Sequence, residues 1–286
     1  MKKNIEELLK EAKRKLKDEG IKSWALDSEV LLSHILSFSR VQLYTHSKKE
    51  LEEDIQEKYN NLISKRIKGV PVQYLTNTKE FMSLSFYVDK SVLIPRNDTE
   101  ILVENALELI DKKDSIILDM CTGSGCIAVS IAYYRPETKV FALDLSASAL
   151  KVAQYNAKLN EVENRVFFMQ SNLFEKLEED FLGKFDMIIS NPPYIPTEDI
   201  AKLEVEVKDY EPLIALDGGK DGLDFYRIIT EKSKAYLKDK GTLIFEIGYN
   251  QGEAVGELLR NNGFSNINIK KDLAGLDRVV FGSNIK

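Results

Sequence analysis

Along residues 1–75 the apolar side chains recur every three or four positions. Ile5, Leu8, Leu9, Ala12 and Leu16 fall on one helical face, and Gly20 ends that helix. A second helix is predicted through Val30, Leu31, Ile35 and Leu36, with Asp27 as its N-terminal cap. A third runs from about Glu50 to Ile67 and is stopped by Gly69 and Pro71. None of these helices is apolar all round, so their stripes must cover one another. Residues 1–75 are therefore expected to form a small helical bundle.

The period then changes. Phe81, Leu84, Phe86, Val88, Val92 and Ile94 approximate a two-residue alternation broken at Asp89-Lys90, which predicts a β-hairpin linker over residues 76–95. Over residues 96–286 strand-like and helix-like runs alternate. The strands are expected at 115–120, 139–144, 165–170, 185–190, 242–247, 265–270 and 278–282. Helices are expected at 101–109, 125–134, 147–159, 225–237 and 252–261. Such β–α repetition predicts an α/β domain whose seven-stranded, mostly parallel sheet is covered on both faces. Residues 196–220 have the weakest periodicity and form a candidate loop or lid.

The length of 286 residues suits one large domain and a smaller one. The net charge of −6 argues against a protein whose main work is gripping nucleic acid. Residues 1–75 nevertheless carry 15 Lys and Arg against 12 Asp and Glu, while the remainder carries 25 against 34. That mildly basic front could face an acidic or RNA-associated partner, or be an ordinary solvated helix surface. No apolar run reaches the length of a membrane span, and the charged, leucine-spaced stretch from Met1 to Glu19 does not read as a signal peptide. A cytoplasmic location is expected. Cys121 and Cys126 sit too close together for a useful disulfide, and His34 and His46 lack metal-ligand spacing. A reducing compartment and no metal site are the expectation.

Two segments carry candidate chemistry. The apolar run Ile116-Ile117-Leu118 leads through Asp119 into Met120-Cys121-Thr122-Gly123-Ser124-Gly125 and an apolar helix. This strand–glycine turn–helix order can cradle a cofactor on free backbone N–H groups. Asp144 ends the next strand, 19 residues after Gly125, where a carboxylate can accept the hydroxyls of a ribose. Ala128 occupies the third glycine position of the dinucleotide pattern, so the turn alone does not exclude a nicotinamide cofactor, nor a plain structural turn. Asp119 could accept from an amino group, or serve as a turn or capping residue.

The second segment, Asn191-Pro192-Pro193-Tyr194, follows the buried strand Phe185–Ser190, at the strand end where open parallel sheets bind ligands. Its prolines fix the backbone and remove two donors. The Pro192 carbonyl and the Asn191 side-chain carbonyl then form a rigid acceptor pair for the two hydrogens of a planar NH2 group. Tyr194 offers a flat face for stacking. The bland alternative is a β-turn with a structural Pro-Pro.

Asn191 to Tyr194 together with the glycine turn resemble class I amino-methyltransferases. Pro95-Arg96-Asn97-Asp98-Thr99-Glu100, Tyr210-Glu211-Pro212, Leu216–Leu223 and Phe245-Glu246-Ile247-Gly248 narrow the resemblance to the release factor glutamine methyltransferases, the PrmC/HemK family. The likeness implies a class I S-adenosylmethionine-dependent fold, Rossmann-like, and methylation of the Gly-Gly-Gln glutamine of class 1 peptide chain release factors. S-adenosyl-L-methionine would be the cofactor and S-adenosyl-L-homocysteine the product. Carried over, Cys121 to Gly125 would hold the methionine part with Asp119 beside them. Asp144 would bind the ribose, and Asn172 and Leu173 would lie beside the adenine. Asn191 to Tyr194 would hold the glutamine amide, Asn191 also bordering the cofactor. Arg96 and Glu100 match a family segment, either as substrate contacts or as a surface ion pair at a helix start. The chain departs from the family at Asn77 and Cys121, often glycine there, and at Asn172, often aspartate. Alternatives are a ribosomal-protein glutamine methyltransferase, a nucleic-acid exocyclic-amine methyltransferase, which would have to capture a base, and a cofactor-binding scaffold without catalysis.

Overall fold

The computed structural model describes residues 2–285. Met1 and Lys286, at the ends of the two predicted outer domains, lie outside the described residues. The chain divides into two compact units. One comprises the chain up to Thr78 together with Val205–Tyr210, and the other comprises Lys79–Glu204 and Glu211 onward.

The first unit is helical: α1 (Ile5–Asp18), α2 (Trp24–Leu36), α3 (Arg40–Thr45), α4 (Glu53–Ile67) and α5 (Val72–Thr76). Asn4 and Glu7 form a reciprocal capping box at the start of α1. The stripe Ile5, Leu8, Leu9, Ala12 and Leu16 is buried against Leu31, Leu32, Leu43, Tyr59 and Ile63. The helices α3 and α5, six and five residues long, were not foreseen from periodicity, because pieces this short complete no apolar stripe.

Asp27 does not cap α2. The helix begins at Trp24, so Asp27 lies inside its first turn and is buried. It accepts from Ser23 Oγ at 2.7 Å and from Arg66 Nε at 2.7 Å. Arg66, itself buried, also donates to Glu206 at 2.5 Å. A guanidinium removed from water needs such compensation on several sides. Tyr210 Oη donates to the Lys68 carbonyl at 2.7 Å, further tying Val205–Tyr210 to this unit.

The hairpin comprises β1 (Thr78–Phe81) and β2 (Leu84–Tyr87). Its turn is Met82-Ser83, not Asp89-Lys90. Both turn residues have positive φ, 50° and 57°, as a two-residue turn matched to strand twist requires. Asp89 makes a separate turn after β2, accepting from Ser91 N at 2.8 Å. Phe81, Leu84 and Phe86 are buried with Leu102, Val103 and Ala106, so the hairpin is part of the second unit's core.

The rest of that unit runs α6 (Asn97–Leu109), β3 (Ile116–Met120), α7 (Cys126–Tyr134), β4 (Lys139–Asp144), α8 (Ala147–Leu159), β5 (Val166–Gln170), β6 (Phe185–Ser190), α9 (Val205–Lys208, which belongs to the helical unit), α10 (Asp224–Tyr236), β7 (Leu237–Glu246), α11 (Gly252–Asn261), β8 (Phe264–Lys271) and β9 (Asp277–Asn284). The sheet order is β5-β4-β3-β6-β7-β9-β8, with β3 to β7 parallel and β9 antiparallel to both neighbours. This is the seven-stranded, mostly parallel α/β architecture expected from the sequence. One core lies beneath the hairpin and α6 to α8, and the other beneath α10 and α11. The order runs outward from β3 in one direction and from β6 in the other, so the switch point lies between them, at the carboxyl ends where a crevice forms.

Candidate active site

Beyond β3 the chain turns into α7 through three residues of positive φ: Cys121 at 63°, Gly123 at 54° and Gly125 at 79°. At Gly125 a Cβ would stand 2.9 Å from Ala153 Cβ and 3.1 Å from its Cα, so the approach of α8 excludes any side chain there. Cys121 and Asn77, where the family resemblance leads one to expect glycine, both lie in the left-handed region that glycine adopts most readily, Asn77 at φ 53°. Both cysteines are free, and burial pushes the Cys126 thiol up to about 12 and raises that of Cys121 as well. Neither is a nucleophile at neutral pH.

Asn156 of α8 is wholly buried and ties the turn to the hairpin. Its amide donates to the Ser124 carbonyl at 2.9 Å and to the Tyr87 carbonyl at 3.0 Å, and accepts from Tyr87 N at 2.7 Å. Nothing local in the sequence marks it. Its partners are 32 and 69 residues away.

Asp119 is wholly buried behind the turn. Thr122 Oγ1 donates to Oδ2 at 2.5 Å, while Oδ1 has no partner among the described residues. Burial raises its carboxyl to about 7, against the pull of Thr122 and of the Ala128 N–H. Asp144 ends β4 and accepts from Gly123 N and Ser146 N, each at 2.8 Å. Burial raises its pKa and these backbone donors oppose the rise. Each oxygen retains acceptor capacity.

These groups stand around an open, mostly apolar-lined cleft. Of the residues singled out from sequence, Cys121, Gly123, Asp144, Asn172, Leu173, Asn191 and Pro193 line it. Asp119, Thr122 and Ser124 are buried behind this wall, and Gly125 starts α7. Asn172 Nδ2 donates to Glu175 at 2.8 Å. Val92, Leu93, Pro212, Ile214 and Phe225 complete much of the apolar wall; Val92 and Pro212 stood in segments marked by the sequence, but none of the five was assigned to the cleft.

The Asn191–Tyr194 corner is held from behind. Ile195 N donates to the Leu216 carbonyl at 3.0 Å and Gly218 N to the Ile195 carbonyl at 2.9 Å. Gln251 Nε2 donates to the Tyr194 carbonyl at 3.0 Å. A Cβ on Gly218 would stand 2.7 Å from Tyr194 Cα and 2.8 Å from the Pro193 oxygen. The segment Leu216–Leu223 thus backs the corner, and its glycine permits the close approach. Burial raises the Tyr194 phenol, which stays neutral.

Asn191 Nδ2 donates to Thr99 Oγ1 of α6 at 3.2 Å. Glu246, the last residue of β7, is buried near them; burial raises its carboxyl to about 7, and its Oε2 has no partner among the described residues. Neither Thr99 nor Glu246 was assigned chemistry from sequence. A lone acid in the apolar run Leu243-Ile244-Phe245-Glu246-Ile247 was the available signal. Arg96 Nη2 donates to both oxygens of buried Glu211 at 2.8 Å, immediately before the cleft-lining Pro212. Glu100 accepts from Met82 N at 2.7 Å, in the hairpin turn. Neither side chain lines the cleft. Among the described residues no helix is long and apolar enough to cross a membrane, and no cluster of metal-ligating side chains occurs.

Comparison with known proteins bears on this arrangement. Residues 7–76 match the family model of the PrmC N-terminal domain, and residues 97–206 match the methyltransferase small domain. The chain is 44% identical to the release factor glutamine methyltransferase of Clostridium acetobutylicum over 96% of this chain and 97% of that one. It is 41% identical to that of Thermodesulfovibrio yellowstonii over 89% and 90%. Among solved structures, the human Mettl16 catalytic domain in complex with the MAT2A 3′UTR hairpin 6 matches with a TM-score of 0.58. At 14% identity over 84% of this chain and 86% of that chain, it shares the fold.

Proposed function

Because the chain belongs to the release factor glutamine methyltransferase family, we propose that it methylates the side-chain amide nitrogen (N5) of the Gly-Gly-Gln glutamine in class 1 peptide chain release factors, with S-adenosyl-L-methionine as donor. The observation that carries this reading is that the acceptor corner at Asn191 and the glycine turn with Asp144 open on one cleft at the switch point of the sheet.

The residues present fit the cofactor. Asp119 has a buried, unpartnered oxygen of the kind an ammonium group would satisfy. Gly123 presents bare backbone in the cleft wall, and Asp144 retains acceptor capacity for a diol. When bound, the cofactor supplies an electrophilic methyl group on sulfur. Asp119 would hold the amino end of the methionine part, with Cys121 to Gly125 around it. Asp144 would hold the ribose, and Asn172 and Leu173 would flank the adenine.

Asn191 Oδ1 and the Pro192 carbonyl would each accept one hydrogen of the substrate NH2 group. That grip fixes the nitrogen and draws its lone pair out of amide conjugation, so positioning supplies most of the acceleration. Tyr194, neutral and held through its backbone by Gln251, would stack on the flat amide. Arg96 and Glu100 steady the cleft wall and the hairpin rather than touching substrate, in keeping with their partners Glu211 and Met82.

The test is mass spectrometry of a release factor incubated with the protein and S-adenosyl-L-methionine. One methyl group on the glutamine of the Gly-Gly-Gln peptide is expected, lost in Asn191→Ala while cofactor binding persists. Methylation confined to a ribosomal protein, or label removed by nuclease treatment of a cell extract, would overturn the assignment.

A further inference from the structure

We infer that Gln251 is a positioning residue for methyl transfer, whose side-chain amide pins the Asn191–Tyr194 corner from behind. The inference rests on the reading of that corner as the grip on the glutamine amide.

The corner needs support from outside. Pro192 and Pro193 have no N–H to give, and the Pro192 carbonyl is reserved for the substrate. The hold therefore falls on the next peptide unit. Its Ile195 N–H donates to the Leu216 carbonyl at 3.0 Å, and its Tyr194 carbonyl accepts from Gln251 Nε2 at 3.0 Å. A planar unit held at both ends resists rotation. The ring of Pro193 locks its own φ, so few soft torsions separate this pinned unit from the Pro192 carbonyl.

Gln251 itself has no slack. It is 7% exposed and stands at the N-terminal cap position of α11, where a polar side chain ordinarily turns back onto its own helix. Its side chain makes no such cap. Instead Oε1 accepts from Gly248 N at 2.9 Å, while Nε2 donates to the Tyr194 carbonyl and, at 3.3 Å, to the Gly222 carbonyl. A backbone N–H only donates and a carbonyl only accepts, so these partners fix which way the amide faces. Turned over, it would set its oxygen against two carbonyls and its NH2 group against an N–H, which is costly in a buried place. One side chain thus joins three chain segments: the corner after β6, the segment Leu216–Leu223 and the turn after β7. The fit around it is close. A Cβ on Gly222 would press on the Tyr194 oxygen and stand 2.8 Å from Gln251 Nε2, and one on Gly248 would stand 2.9 Å from Gln251 Oε1. Gln251 does not line the cleft, so it acts on substrate only through the corner.

The experiment compares Gln251→Met, Gln251→Asn and Asn191→Ala with wild type in steady-state methylation of intact release factor at saturating cofactor. Turnover is counted per cofactor site titrated by calorimetry, so a loss of folded protein alone leaves it unchanged. Gln251→Met keeps the length of the side chain and removes all three hydrogen bonds. It is expected to lower kcat per site by about 10- to 100-fold, while KM for the release factor and cofactor affinity shift less than about threefold. Gln251→Asn keeps an amide but withdraws it by one methylene, and should also lose turnover, though less. Should Gln251→Met fail to fold, Gln251→Asn decides the matter. Wild-type kcat per site in Gln251→Met, or in Gln251→Asn where that variant decides, overturns the inference. So does a loss of cofactor affinity as large as the loss of turnover, which would make Gln251 a general support of the cleft. Inactive Asn191→Ala beside a fully active Gln251→Met would remove the positioning role alone. Near-normal turnover in Asn191→Ala would instead sink the reading of the corner, and the inference with it.

Discussion

Replacing Asn156 by alanine is expected to destabilise the sheet-containing unit more than any surface change could. The side chain is completely buried and serves three backbone groups: Tyr87 N at 2.7 Å, the Tyr87 carbonyl at 3.0 Å and the Ser124 carbonyl at 2.9 Å. Truncation leaves one donor and two acceptors without their partner. At about 1 kcal/mol or somewhat more for each, the loss comes to about 3–5 kcal/mol, the upper end of single-residue effects. For a unit of this size that corresponds to a fall in Tm of roughly 10 °C. Asn156→Asp keeps an acceptor for Tyr87 N but turns a carboxylate toward two carbonyls, so it should be at least as harmful at pH 8. Urea unfolding followed by circular dichroism is the appropriate assay. The single tryptophan, Trp24, lies in the helical unit, and its fluorescence reports the wrong transition. Cofactor affinity should fall in parallel, because the Ser124 carbonyl belongs to the glycine turn. A midpoint shift worth less than about 1 kcal/mol would refute the claim that this one amide joins hairpin, helix and turn.

Three further outcomes follow from the site. Asp144→Ala should weaken cofactor binding by about 1.5–3 kcal/mol in titration calorimetry, as expected for lost charge-assisted hydrogen bonds; unchanged affinity would remove it from the ribose contact. Asp119 and Glu246 are both raised by burial to about 7, so between pH 5 and pH 7 the folded, ligand-free protein binds more protons than the unfolded chain. Its stability should therefore decline as pH rises through that window. Asp119→Asn should flatten the decline in thermal melts, and equal slopes would contradict the assignment. Cys121 holds φ 63°, so Cys121→Gly should alter stability by less than about 1 kcal/mol, whereas the branched Cys121→Val should cost about 1–2 kcal/mol, measured as denaturation midpoints.

The central strands β3 to β6 were legible because each is an apolar run bounded by polar turns, whereas β8, Phe264–Lys271, shows beyond Phe264 only two isoleucines alternating with polar residues. What the sequence concealed depends on partners far along the chain. Asp27 resembles a cap when read locally, yet its purpose is to meet Arg66, 39 residues later, in the helical core. The Met82-Ser83 turn contains neither glycine nor asparagine, and Glu100 and Tyr134 secure its backbone instead, so the turn-forming pair Asp89-Lys90 drew the prediction. In the site, the glycine turn announces itself through its left-handed backbone, and Asp144 and Asn191 through their places at the carboxyl ends of β4 and β6. Thr99 and Glu246 belonged to segments carrying the family likeness, but no spacing rule joins them to Asn191. The contact of Thr99 with Asn191 spans 92 residues and exists only once α6 and β6 have packed.

The six residues Val205–Tyr210 carry a practical lesson for anyone dissecting the chain. A gene truncated after Thr78 would encode every main helix of the front unit but neither Glu206 nor Tyr210. Arg66 would keep Asp27 and lose its second carboxylate, and the Lys68 carbonyl would lose its phenol donor. The excised fragment would begin life with a poorly compensated cation at 3% exposure. Grafting those six residues back through a short flexible tether is the simplest way to make the piece self-sufficient.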